Sequence, residues 1–253
     1  MSEREGHPIR GRRYWVVGAS SGIGAALAGE LVGRGATVAI SARRADHLER
    51  VSGGGMTTVP LDVTDPDAVA RGADTVRSAL GGLDVVVWSA GHWRQFEGDV
   101  WSREVFEQHV SVNLLGLNNV LDAVLPDLTR TGSGHLVGIA SVAGYRGLPG
   151  AEAYGATKAA QINLLESLRA ALAGAGVRVT TVCPGFVRTE MTQANSFPMP
   201  FIIDADEAAR AIADGLERRR AEIVFPLRMA LLMKAARLVP VGLWSRLTRP
   251  RRR

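Results

Sequence analysis

The chain has 253 residues, 46% of them hydrophobic, with a formal net charge of +5. That is enough apolar material for one sizeable core and short for two, and the single cysteine, Cys183, excludes an internal disulfide and suits a reducing cytosol. The opening stretch 1–13 is polar and basic without an apolar run, so it reads as neither a secretory signal nor a membrane span, and a cytoplasmic protein is expected.

Short apolar runs alternate with longer helical patterns along the chain. Strands are expected at 14–18, 37–41, 57–61, 84–89, 134–140, 177–183 and 222–225, and helices at 23–34, 66–79, 103–125, 152–173 and 206–219. The strands are β-branched and almost continuously apolar, as strands covered on both faces must be. This predicts a doubly wound α/β fold of the Rossmann type, with a seven-stranded parallel sheet in one domain over 1–226. Residues 227–253 read as a basic, amphipathic helical extension.

The candidate chemistry lies where strands end. After the first strand comes Gly18-Ala19-Ser20-Ser21-Gly22-Ile23-Gly24, opening into a helix. Glycines between a strand and a helix N-terminus let backbone N–H groups reach a pyrophosphate, so Gly18, Ser20, Ser21, Gly22, Ile23 and Gly24 read as a nucleotide cradle. After the second strand there is no acid to hold a ribose 2′-hydroxyl; Arg43 and Arg44 stand there instead, which favours the 2′-phosphate of NADP(H). The third strand ends in Leu61-Asp62-Val63, where Asp62 fits an adenine amino group, and neighbouring Asp65 caps the next helix. The fourth ends in Ser89-Ala90-Gly91, small enough for a ribose to approach Ala90 and Gly91 closely. His92, His109 and His135 show no ligand-like clustering and read as structural, with no metal site.

Farther on, Tyr154 and Lys158 stand four residues apart in a chain with three tyrosines and two lysines. Chance would give such a pair in roughly one such chain in forty. Almost every other basic residue is Arg, so this lysine answers a need for a compact charge whose pKa responds to its surroundings. A free phenol titrates near 10, too high for ready proton exchange; an ammonium one helical turn away favours the phenolate and is expected to lower that value. Tyr154 thereby reads as an acid/base.

In this order the residues resemble the short-chain dehydrogenase/reductase family over about 14–225. The features carrying the resemblance are the glycine motif, Asp62, Ala90-Gly91, Asn113 in Ser111-Val112-Asn113, Ser141, Tyr154 with Lys158, and Pro184-Gly185-Phe186-Val187-Arg188-Thr189. Two positions depart from it: Val17 stands where the family usually has Thr, and Ser89 where it usually has Asn. The resemblance implies that Tyr154 protonates a carbonyl oxygen while NADPH delivers hydride. Ser141 would hold that oxygen, Lys158 would bind the nicotinamide ribose, and Asn113 would support a water relay. Pro184, Gly185, Val187 and Thr189 would line the nicotinamide, with Thr189 on its carboxamide. The family dimerises through its long helices, here 103–125 and 152–173, so a homo-oligomer is implied.

The substrate pocket is expected from 92–99, 142–150 and 190–204. The last holds Phe197, Pro198, Met199, Pro200, Phe201, Ile202 and Ile203, which suits a lid over an apolar carbonyl or alcohol. Between residue 218 and the end stand eleven Lys or Arg against Glu222 alone, a local net of +10 that leaves −5 for residues 1–217. Without interleaved aromatics or a reading module, this tail is not read as binding nucleic acid. Peripheral membrane contact, packing on the substrate loop and contact with another subunit all remain open for it. A non-catalytic NADP-binding redox sensor is the alternative to an enzyme.

Overall fold

The computed structural model describes residues 7–95, 98, 100–193 and 195–249. In chain order its strands are β1 (Arg13–Val17), β2 (Thr37–Ser41), β3 (Thr57–Thr58), β4 (Val85–Trp88), β5 (His135–Ile139), β6 (Arg178–Pro184), β7 (Val187–Arg188), β8 (Ile203–Asp204) and β9 (Glu222–Phe225). Seven of them form one parallel sheet in the order β3-β2-β1-β4-β5-β6-β9, while β7 and β8 pair as a separate ribbon. The helices are α1 (Gly22–Gly33), α2 (Ala45–Ser52), α3 (Pro66–Leu80), α4 (Arg103–Val110), α5 (Gly116–Thr131), α6 (Glu152–Leu172), α7 (Glu190–Gln193), α8 (Ala205–Glu217), α9 (Leu227–Ala236) and α10 (Val241–Leu247).

The two faces of the sheet explain the continuous apolar strands. Tyr14 and Val16 of β1 share a core layer with Leu27 and Leu31 of α1 and Ile212 and Leu216 of α8. Their neighbours Trp15 and Val17 join the opposite layer, with Val69 and Val76 of α3 and Leu117, Val120 and Val124 of α5. Alternate residues thus enter different cores, so from Tyr14 to Val17 no position in β1 is left facing water.

The boundaries differ from the sequence expectation where packing overrides local pattern. The third strand was expected over 57–61, but regular pairing ends at Thr58, and the edge continues as single bonds from Val59 N to Ile40 O (2.9 Å) and Leu61 N to Ala42 O (3.1 Å). Helix α2 was not anticipated, because only Leu48 and Ser52 of its eight residues are buried. The helix expected over 103–125 is broken by a π-helical turn, Ser111–Leu115, and then runs through Pro126 to Thr131. Val124 and Leu128 are buried on either side of that proline, and their burial outweighs the lost N–H donor. Asp65 caps α3 as expected, accepting from the N–H groups of Asp67 and Ala68 at 3.0 Å.

One close approach sets the geometry of the site. Gly138 is the fourth of the five residues of β5, and a Cβ there would fall 2.3 Å from Leu165 Cδ1 of α6. The missing side chain lets α6 settle onto β5, and those two elements carry Tyr154, Lys158 and the approach to Ser141. Gly138→Ala is expected to destabilise the protein by about 1–3 kcal/mol through overpacking. Urea unfolding followed by circular dichroism reads this as a lowered midpoint.

Candidate active site

A cleft of about 350 Å3 opens at the carboxyl edge of the sheet, over the point where the chain order reverses between β1 and β4. Gly18, Ser20, Ser21, Gly22, Ile23, Gly24, Arg43, Arg44, Asp62, Val63, Ala90, Gly91, Ser141, Tyr154, Lys158, Pro184, Gly185, Val187 and Thr189 all line it. Asn113 does not; it is fully buried one layer behind.

The cradle is shaped for a backbone-held phosphate group. Gly18 has φ +94°, and a Cβ on it would sit 2.3 Å from Ala90 N; on Gly24 one would sit 2.3 Å from Gly18 O. The turn therefore needs glycine for conformation and for space, and it ends at the N-terminus of α1, where the helix dipole favours an anion. These residues fit a dinucleotide. At its other end, Asp62 Oδ1 accepts from Thr64 N (2.9 Å) and Thr64 Oγ1 (2.8 Å), which holds the carboxylate at the cleft wall.

Arg43 and Arg44 are both exposed on the lip of the cleft. Arg44 Nη2 lies 3.2 Å from the hydroxyls of Ser20 and Ser21 and 2.9 Å from Glu190 Oε2 at the start of α7. The Arg44 guanidinium holds the Glu190 carboxyl below its ordinary range. This pair spans the mouth of the cleft between residues 146 positions apart, and nothing in the sequence indicated it.

At the reacting end, Tyr154 is half-buried and Lys158 is 4% exposed, with its Nζ 5.6 Å from the centroid of the Tyr154 ring. Nζ donates to Ile139 O (3.0 Å) and Gln161 Oε1 (2.9 Å). Gln161 Nε2 donates in turn to Asn113 O at 2.6 Å. Asn113 lies within the π-helical turn, and its side chain clamps the segment after β4: His92 N donates to Oδ1 (2.7 Å), and Nδ2 donates to His92 O (3.2 Å) and Thr157 Oγ1 (2.9 Å). Ser141 Oγ accepts from Ala143 N at 3.1 Å and reaches Pro184 O at 3.5 Å, a distance that commits its proton only weakly.

The titration of the pair departs from the sequence expectation. Burial pushes the Tyr154 phenol up to about 12, opposed by its interaction with Ser141, where the sequence predicts a lowered value. Burial also brings the Lys158 ammonium down to about 8. The reason is desolvation: the lysine is buried and the phenol is largely withdrawn from water, and the lysine's hydrogen bonds go to Ile139 and Gln161, away from the phenol.

An aromatic wall stands over Tyr154. Trp93 meets it edge-on at 5.1 Å, Phe197 meets Trp93 at 6.5 Å, and Phe186 meets Phe197 at 6.0 Å. Trp93 Nε1 donates to Asn195 Oδ1 at 2.9 Å. The loop carrying Phe197 is tied at its base where β7 pairs with β8 and Arg188 Nε bonds Asp204 Oδ1 at 2.8 Å. Of the expected pocket segments, residues 96, 97, 99 and 194 lie outside the described residues. His92 and His109 meet edge-on at 4.7 Å, and His109 lies 6.4 Å from Tyr154. His135 is bonded to Thr180 within the sheet, and burial pushes it down to about 3.

Known proteins resemble this chain over most of its length. A family model for short chain dehydrogenases matches residues 13–198. An uncharacterized oxidoreductase of Myxococcus xanthus is 39% identical over 240 residues, 92% of this chain and 95% of that protein. One of Staphylococcus epidermidis is 35% identical over 204 residues, 79% of this chain and 89% of its own. A solved short chain dehydrogenase of Burkholderia cenocepacia, in complex with NADP, matches with a TM-score of 0.84 at 29% identity, covering 96% of this chain and 99% of that one. One from Streptomyces avermitilis gives 0.81 at 26% identity, covering 94% and 98%. The chain belongs to the short-chain dehydrogenase/reductase family of oxidoreductases.

Sequence reasoning missed Gln161, although it shares a helical face with Tyr154 and Lys158 at i, i+4 and i+7, a spacing that marks it in retrospect. Trp93 and Glu190 carried no comparable signal. Gly18→Ala is expected to weaken NADPH binding about tenfold to a hundredfold, since strain of about 1–3 kcal/mol falls directly on the cradle. Fluorescence titration with NADPH measures this.

Proposed function

We propose that this protein is an NADP(H)-dependent oxidoreductase interconverting a carbonyl and an alcohol on an apolar substrate. The observation that carries the proposal is the neutral, half-buried phenol of Tyr154, set between the Lys158 ammonium, Ser141 and an aromatic wall at the edge of a dinucleotide-shaped cleft. In the reductive direction, NADPH held by the cleft residues would supply the hydride for the carbonyl carbon. Tyr154 gives its proton to the carbonyl oxygen, and a phenol protonated throughout the neutral range is the form this step requires. Ser141 turns its weakly committed hydroxyl to the same oxygen, while Ala143 N keeps Oγ in place. Lys158 stabilises the phenolate left behind and would also hydrogen-bond the nicotinamide ribose, and Ile139 and Gln161 fix its position. Asn113 acts at one remove, holding the backbone of His92 and bonding Gln161. Pro184, Gly185, Val187 and Thr189, which line the cleft, would receive the nicotinamide.

The preference for NADP(H) rests on Arg43 and Arg44 and on the absence of an acid at the end of β2; the Burkholderia cenocepacia relative in complex with NADP supports it. A 2′-phosphate would compete with Glu190 for Arg44. The wall of Trp93, Phe197 and Phe186 favours an apolar substrate. Assembly into a homo-oligomer through α4, α5 and α6 fits the exposed Leu115 on the turn between the first two.

NADPH oxidation over aldehydes and ketones graded in apolar size tests this reading. Tyr154→Phe is expected to lose about 100- to 10,000-fold in kcat while still binding NADPH. Turnover unchanged in that variant would refute the assignment.

The pH profile gives a separate test. Lys158, brought down to about 8, is charged below that pH and neutral above it, so reduction is expected to decline as pH rises through about 8. Gln161→Glu places a carboxylate beside the ammonium and should move this limb to higher pH, while Gln161→Leu removes an acceptor and should move it lower.

A further inference from the structure

Helix α9 has two apolar sides. Met229, Ala230, Met233 and Ala236 face inward, the two methionines packing with Val142, Tyr145, Ile162 and Cys183. On the outer side Leu227 is 70% exposed, Leu231 62%, Leu232 55% and, just beyond the helix, Leu238 86%. Helix α10 buries none of its seven residues, yet carries Val241, Leu243 and Leu247. It is tethered by Trp244 Nε1 donating to Gly147 O (2.7 Å) and, just before it, Arg146 donating to Val239 O (2.8 Å). Seven of the twelve exposed large apolar residues among the described residues lie between 227 and 247, so this concentration is a surface and not scatter. A seven-residue helix without a buried face does not sustain itself by local bonding alone.

The same stretch is strongly basic. From residue 223 to the end there is no Asp or Glu and there are eight Lys or Arg. Of the terminal arginine cluster 249–253, only Arg249 lies within the described residues.

We propose that the outer face of α9 and α10 docks on an anionic lipid bilayer, with its leucines at the acyl boundary and its arginines among the phosphates. Charge decides the occupant. Lys234 is paired with Glu222 at 2.5 Å, but the stretch keeps a net positive charge, and a bilayer with anionic headgroups takes up that charge and the leucines together. A two-fold contact with a second copy would set the same net-basic surface against itself. No helix among the described residues is long and apolar enough to cross a membrane, so the contact lies along the surface. The face adjoins the substrate loop, since the Arg228 guanidinium lies 5.9 Å from the ring of Phe201. On the reductase reading, an apolar substrate dissolved in the bilayer would then reach the cleft without crossing water; the docking itself does not depend on that reading.

Flotation of the full-length protein with vesicles tests the proposal. Binding to phosphatidylcholine vesicles containing phosphatidylglycerol is expected to exceed binding to pure phosphatidylcholine by about tenfold or more and to weaken with salt. Leu231→Asp with Leu238→Asp alters two exposed positions. It is expected to keep the circular dichroism spectrum and NADPH binding while losing vesicle binding by about tenfold or more. No binding to anionic vesicles, or binding that the double variant leaves intact, would overturn the proposal. A wild-type oligomer that the double variant dissolves in sedimentation, without any vesicle binding, would assign the face to a second copy.

Discussion

The site depends on how closely α6 lies against β5. Ser141 follows the end of that strand, and Tyr154 and Lys158 occupy the first turns of that helix. Gly138 lets Leu165 press into the sheet where a side chain would otherwise stand. The same seating brings the Lys158 ammonium to the carbonyl of Ile139, the last residue of β5. A strand-to-helix distance set deep in the core therefore governs where the Tyr154 phenol stands in the cleft.

A second layer of polar bonds holds this arrangement from behind. Lys158, Gln161 and Asn113 form a buried chain of hydrogen bonds, and the π-helical turn leaves the Asn113 carbonyl turned toward Gln161. Buried polar groups of this kind are costly unless paired, so the pairing holds the lysine in place, while its depressed affinity for a proton comes from burial. Desolvation moves the phenol and the ammonium in opposite directions, each toward its neutral form.

Much of this was legible in the chain itself. Strands buried on both faces announce themselves as continuous apolar runs; the glycine motif, Asp62 and Ala90-Gly91 mark strand ends that the sheet gathers along one edge, and Tyr154 with Lys158 marks the helix that joins them there. The pairs that complete the site were not legible, because they join distant segments: Arg44 with Glu190, Gln161 with Asn113, Trp93 with Tyr154. The direction of the Tyr154 shift was misread for a related reason. Spacing along a helix places a lysine one turn away, but only the packed fold shows that both groups are desolvated and that the lysine's bonds go elsewhere. Helix α2 and the β7–β8 ribbon escaped notice because little of either is buried, leaving no periodic apolar signal.

The central claim is that Tyr154 protonates a carbonyl whose carbon receives hydride within this cleft. It is tested most directly by single turnover with NADPH deuterated at its transferable position, followed by mass spectrometry of the product alcohol. The account predicts deuterium on the carbinol carbon with the wild-type protein, and loss of that product in Tyr154→Phe at saturating NADPH. Tight binding of NADPH with no deuterium transferred to any apolar aldehyde or ketone would contradict it.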